Sequence, residues 1–107
     1  MNLSGREEDL LEAMLEYAEE LARIDDSDPV EMLEEEGFPE EAMDTVKQRS
    51  GLAVETELES LKQRGLLDEE ERTEKRTVTD ENSYGFRKEK VRYLRFSREL
   101  LDWMRNR

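Results

Sequence analysis

Between Glu41 and Asp68 the chain reads EAMDTVKQRSGLAVETELESLKQRGLLD, and this stretch leaves few folds open. Ala42, Met43 and Val46 fall at helical spacing, and Ser50-Gly51 supplies a residue able to take positive φ where that helix stops. Val54, Leu58 and Leu61 then recur at i, i+4 and i+7, and Gly65 closes a second helix before the apolar pair Leu66-Leu67. The spacing predicts helices over 39–50 and 54–64, joined by a short glycine-containing turn and leaving into a strand.

The flanking segments supply what such a pair must pack against. Ser4 with Glu7 three residues on forms a capping box, and a wide apolar stripe of Leu10, Leu11, Met14, Leu15, Tyr17, Ala18, Leu21, Ala22 and Ile24 predicts a first helix over 4–24. Leu10, Met14, Tyr17, Leu21 and Ile24 alternate steps of four and three, so this helix either pairs with its copy in a homodimer or packs on the core. Asp28-Pro29 restarts a helix over 28–36, with Gly37 ending it. Phe38-Pro39 is read as opening the next helix. The four acids Asp68 to Glu71 read as a solvated turn.

Arg72 to Thr79 alternates and is rich in threonine, and Val91 to Phe96 is β-branched and aromatic. They predict a hairpin over 72–96, with Asp80 to Gly85 as turn chemistry and Phe86-Arg87-Lys88 as part of a long basic tip. Ser97 caps a final helix over 97–106. Its Leu100, Leu101, Trp103 and Met104 are too apolar for a solvated tail, and belong at a dimer seam or closing the core.

Composition excludes more than it specifies. The 107 residues suffice for one domain with a modest core, and the chain has neither cysteine nor histidine. Disulfides, thiolate metal sites and histidine-based catalysis are thereby excluded. There is no nucleophile-base pair, phosphate-cradling glycine loop, cofactor motif or calcium-loop pattern, so no enzyme activity, cofactor or metal is expected. No apolar run approaches the roughly 18 residues of a membrane span, and Met1 to Gly5 leads into acidic sequence. A chain off the membrane and in the cytoplasm is expected.

Thirty acids against seventeen bases give a net charge of −13, and arginine outnumbers lysine twelve to five. Such a surface resembles proteins of extreme halophiles, in which molar salt shortens the Debye length to about 3 Å and screens self-repulsion. The other reading is that the acidity meets a basic partner or mimics DNA. Charge is also segregated: residues 1–46 carry seventeen acids and two bases, whereas residues 72–107 carry six acids and eleven bases.

The string VKQRSGL…VETELESLKQRGLL resembles the helix-turn-helix of winged-helix transcription regulators, here of an acidic, haloarchaeal type. The resemblance implies a mainly α fold with a small β-hairpin (α+β), carrying an extra N-terminal helix and a C-terminal helix. The 28–36 helix is then either that addition or itself the second helix of the trihelical core. It also implies double-stranded DNA as partner, bound by a homodimer, with the 54–64 helix in the major groove and the hairpin on the backbone. Thr56, Ser60 and Gln63 would face bases or phosphates, and Lys62 and Arg64 phosphates. On the hairpin Arg72, Lys75, Arg76, Arg87, Lys88 and Lys90, with Arg92 and Arg95, make a basic surface interleaved with Tyr84 and Phe86. Two features depart from the family: Glu55 and Glu59 face the duplex, and Ala53 stands where a Ser or Thr cap is usual. They favour the competing class, a protein-interaction module without DNA affinity.

Overall fold

The computed structural model describes residues 1–51, 54–80 and 83–107, without the side chains of residues 76–80, 83 and 84. Helix α1 (Gly5–Asp25) starts on the capping box expected: the Ser4 hydroxyl accepts from the Glu7 N–H at 3.1 Å, and the Glu7 carboxylate accepts from the Ser4 N–H at 2.9 Å. Two backbone donors that a helix start leaves orphaned are thus satisfied. Asp28 does the same for α2 (Pro29–Glu35), accepting from the N–H groups of Val30 and Glu31 at 2.9 and 3.3 Å.

Phe38-Pro39 does not open a helix. The pair forms β1 (Phe38–Pro39), a 3-10 turn covers Glu40–Ala42, and α3 runs over Met43–Ser50. The proline ring disfavours the α conformation in the residue before it, so Phe38 is driven extended and can take a strand partner. It finds one, since Phe38 and Pro39 lie opposite Leu94 and Tyr93. Gly51, at φ 68, stops α3, and α4 covers Glu55–Gln63. Val54 occupies the N-cap position of α4 without a side-chain hydrogen bond, and Ala53 lies outside the described residues.

Strands β2 (Leu67–Asp80) and β3 (Ser83–Phe96) pair antiparallel from Leu67 opposite Phe96 to Asp80 opposite Ser83, and the sheet order is β1-β3-β2. Two expectations fail here. Asp68 to Glu71 are not a turn but the start of β2, where Glu69, Glu70 and Glu71 each meet a cation. Lys62 pairs with Glu69, Arg72 and Arg95 with Glu70, and Lys90 with Glu71. The low strand propensity of acids yields to these partners. The long tip is also absent: Tyr84 to Lys88 belong to β3, and Glu81-Asn82 lie outside the described residues.

After β3, the Ser97 hydroxyl accepts from the Leu100 N–H at 3.2 Å and opens α5 (Arg98–Arg105). The described residues thus form an α+β fold of five helices and a three-stranded antiparallel sheet. Helices α3 and α4 both pack on α1, while α2 packs on α1, α5 and β3. Arg95 fixes α2 to the sheet by donating to the carbonyls of Glu34 and Glu35, each at 2.9 Å. These are among the carbonyls that a helix end leaves without partners.

Leu10, Met14, Leu100 and Leu101 are between 0% and 4% exposed, and Met104 is 3% exposed. All five join the core shared by α1, α2, α3, α4 and the sheet. Of the two expectations, a dimer seam or the core, the core is where they lie, since a chain this short needs them inside to cover its own sheet and helices. No helix among the described residues is long and apolar enough to cross a membrane.

Candidate nucleic-acid interface

Strand register sorts the hairpin's charges onto two faces. Side chains alternate along a strand, and cross-strand partners share a face. Leu67 and Leu94 are buried at 2% and 0% exposure, so their face is turned to the helices. Continuing outward on that face come Glu71 opposite Arg92, Thr73 opposite Lys90, Lys75 opposite Lys88, and Thr77 opposite Phe86. Lys75, Lys88, Lys90 and Arg92 are all exposed, and Phe86 is 73% exposed. Lys90 lies 3.5 Å from Glu71. Among the described residues, no carboxylate lies within ion-pairing distance of Lys75 or Lys88.

On the opposite face, the described charges nearest the helices pair with one another. Arg72 donates to both oxygens of Glu70 at 3.1 Å and lies 4.2 Å over the Tyr93 ring. Arg95 reaches the same Glu70 at 3.5 Å, and the Tyr93 hydroxyl donates to Glu74. The Arg72 hydrogen bond holds the Glu70 carboxyl below its ordinary range, and the Glu74 hydrogen bond raises the Tyr93 hydroxyl. Arg87 lies 3.8 Å from Glu89. Arg76 pairs in register with Arg87, but its side chain is outside the described residues, as is that of Tyr84. The single basic surface read from the sequence is therefore two surfaces: Arg72 and Arg95 brace the sheet, and Lys75, Lys88, Lys90 and Arg92 form an exposed row in which Lys90 meets Glu71.

Helix α4 is used more inwardly than the sequence implied. Val54 and Leu61 are buried and Leu58 half-buried, as expected, but Glu57 is buried too, at 7% exposure. Its partner Arg6 is 3.8 Å away. Three residues assigned to DNA point elsewhere. Arg64 donates to both Glu7 oxygens at 3.1 and 3.0 Å and to the Asn2 carbonyl. The Ser60 hydroxyl lies 3.4 Å from the same carboxylate, and Lys62 is paired with Glu69. Thr56, Glu59 and Gln63 remain outward and exposed, while Glu55 is exposed but paired with Lys47. Nothing within a few residues of Arg64 announces a partner 57 positions away, so this clamp carried no sequence signal.

The Glu7 site gives a pH prediction. Burial alone would raise the Glu7 carboxyl, but hydrogen bonds from Ser4 and the charge of Arg64 outweigh it and hold the group below its ordinary 4.5. A carboxyl that binds its proton less tightly when folded stabilises the fold above pH 4.5, and that contribution is lost as pH falls through the lower folded-state value. Glu7→Gln is expected to cost about 1 kcal/mol at pH 7, at the modest end because Arg64 is part-exposed. The gap between variant and wild type should narrow as the pH falls below 4.5. Urea midpoints across that range test it, and parallel curves would refute the assignment.

Of the residues read as a dimer seam, Tyr17, Leu21 and Trp103 keep partial exposure. Tyr17 packs edge-on against Phe38, its ring centroid 5.5 Å away, and Arg107 lies 4.5 Å over the Trp103 ring. Compared with protein-family models, curated proteins and solved structures, the chain matches none.

Proposed function

We propose that the chain is a winged helix-turn-helix domain that binds duplex DNA and regulates transcription, with the β2–β3 hairpin as the wing. The element order and the β1-β3-β2 sheet are compatible with that fold. One observation carries the functional reading. Lys75 stands directly opposite Lys88, with Lys90 and Arg92 on the same face. Like charges across a strand pair are destabilising, and a chain with thirty acids has carboxylates to spare for them. Leaving that pair without a carboxylate partner among the described residues makes physical sense where an external polyanion supplies the counter-charge.

The wing provides most of the affinity in this reading. Helix α4 presents Thr56, Glu59 and Gln63 to base edges, and Lys62 and Arg64 serve the fold. A dimer would join through the part-exposed Tyr17, Leu21 and Trp103, and repression would follow from occluding a promoter. No step of this activity requires catalysis, a metal or a cofactor.

The test is an anisotropy titration on random and genomic duplexes from about 0.1 to 1 M salt. Lys75→Ala with Lys88→Ala should weaken binding at about 0.15 M salt by about tenfold or more, uniformly across sequences. It should also reduce the slope of log affinity against log salt by about 2. Both residues are exposed, so stability should hold. If no duplex binds at either salt extreme while a pull-down recovers a protein partner, the chain is an interaction module instead, as the acids of α4 would favour.

A further inference from the structure

We infer that Glu59 selects cytosine in the strand that α4 faces. The inference rests on the duplex-binding reading above. Thr56, Glu59 and Gln63 are spaced i, i+3 and i+7 on α4, so they form one outward row. Every other charged group of the helix is withdrawn from that row. Glu55 is tied to Lys47, Glu57 is buried near Arg6, Lys62 is bound to Glu69, and Arg64, at the end of the helix, is bound to Glu7. Glu59 is left as the sole charge, and among the described residues no cation lies within ion-pairing distance of it. The Gln63 side-chain amide lies 3.4 Å from one Glu59 oxygen, which steadies the carboxylate without neutralising it.

A carboxylate only accepts hydrogen bonds. In the major groove guanine offers N7 and O6 and thymine offers O4, all acceptors that repel it. Adenine offers its N6 amino group, but beside the N7 acceptor. Cytosine offers its N4 amino group with an acceptor, the paired guanine's O6, on one side only, whereas adenine's lies between its own N7 and the paired thymine's O4, so cytosine is the base a carboxylate reads best. The same charge repels the phosphates on both sides of the groove, so Glu59 lowers affinity for every duplex while raising discrimination. The cationic row of the hairpin then holds a helix that would not stay on DNA alone.

The experiment is selection from a pool of randomised duplexes with wild type, Glu59→Gln and Lys75→Ala/Lys88→Ala, followed by titration of the enriched sites. Wild type should prefer cytosine at one position of each site by about fivefold or more. Glu59→Gln should bind the unselected pool several-fold more tightly and lose that preference, while Lys75→Ala/Lys88→Ala should weaken binding and keep it. If Glu59→Gln retains the wild-type preference, or leaves affinity for the pool unchanged, Glu59 does not face bases and the inference falls while the duplex-binding reading stands. If wild type binds no duplex at any salt, both fall. Glu59 is exposed, so a folding defect does not confound the variant.

Discussion

Phe38→Ala is expected to lower the free energy of unfolding by about 3–5 kcal/mol, the range for truncating a buried aromatic. A domain of this size has roughly 5–15 kcal/mol in all, so this one change takes much of the margin. Phe38 is 1% exposed, packs edge-on against Tyr17 at an interplanar angle of 62°, and sits opposite Leu94 in the sheet. It is the side chain through which β1 joins α1 to the base of the hairpin. Deleting the ring leaves a cavity between a helix and a strand, which can collapse onto it only by shifting the sheet. Phe38→Leu, which keeps more of the volume, should lose less than Phe38→Ala. Urea denaturation of the three proteins decides it, and a loss below about 1 kcal/mol for the alanine variant would mean that the ring is not where the core is anchored.

Gly37→Ala should cost about 2–4 kcal/mol, for two separable reasons. Gly37 has φ +82, a conformation that an L side chain adopts only with strain. An added Cβ would also stand 2.9 Å from the Leu94 carbonyl oxygen and 3.2 Å from Arg95 Cδ. The arginine chain can give way, but the carbonyl belongs to the strand that β1 pairs with. Gly51 separates the two contributions. It has φ +68 with nothing within 4 Å of an added Cβ, so Gly51→Ala should show the conformational cost alone, about 1 kcal/mol. Equal losses at the two positions would rule out the contact with Leu94. A larger loss at Gly37 establishes that the close approach of α2's end to β3 sets where the hairpin leaves the domain.

These sites also mark how far sequence patterns reach. The Ser4–Glu7 box, the Asp28 and Ser97 caps and the Gly51 stop are written within four residues of where they act, and each is found as expected. Phe38-Pro39, expected to open a helix, is a strand. Pro39 fixes an extended residue before it, and the strand partner that makes this productive lies 56 positions on at Leu94. The acids from Asp68 to Glu71 read as a turn because most of the cations that meet Glu69, Glu70 and Glu71 come from α4 and β3.

The candidate interface divides along the same line. That the hairpin is basic, and that α4 carries Glu55 and Glu59, is plain in the residues. The sequence by itself determined where the helices lie, where most of them start and stop, that a hairpin follows α4, and how charge divides along the chain, since these follow from neighbours within a turn or two; the strands at Phe38-Pro39 and Asp68 to Glu71 do not. Only the tertiary structure decided that Arg64, Ser60 and Lys62 turn inward, that Leu10 and Met14 are core, and that Lys75, Lys88, Lys90 and Arg92 share an open face apart from Arg72 and Arg95. Strand parity is set by register, where a slip of one residue exchanges the two faces, and the Glu7 clamp depends on two helices meeting in space.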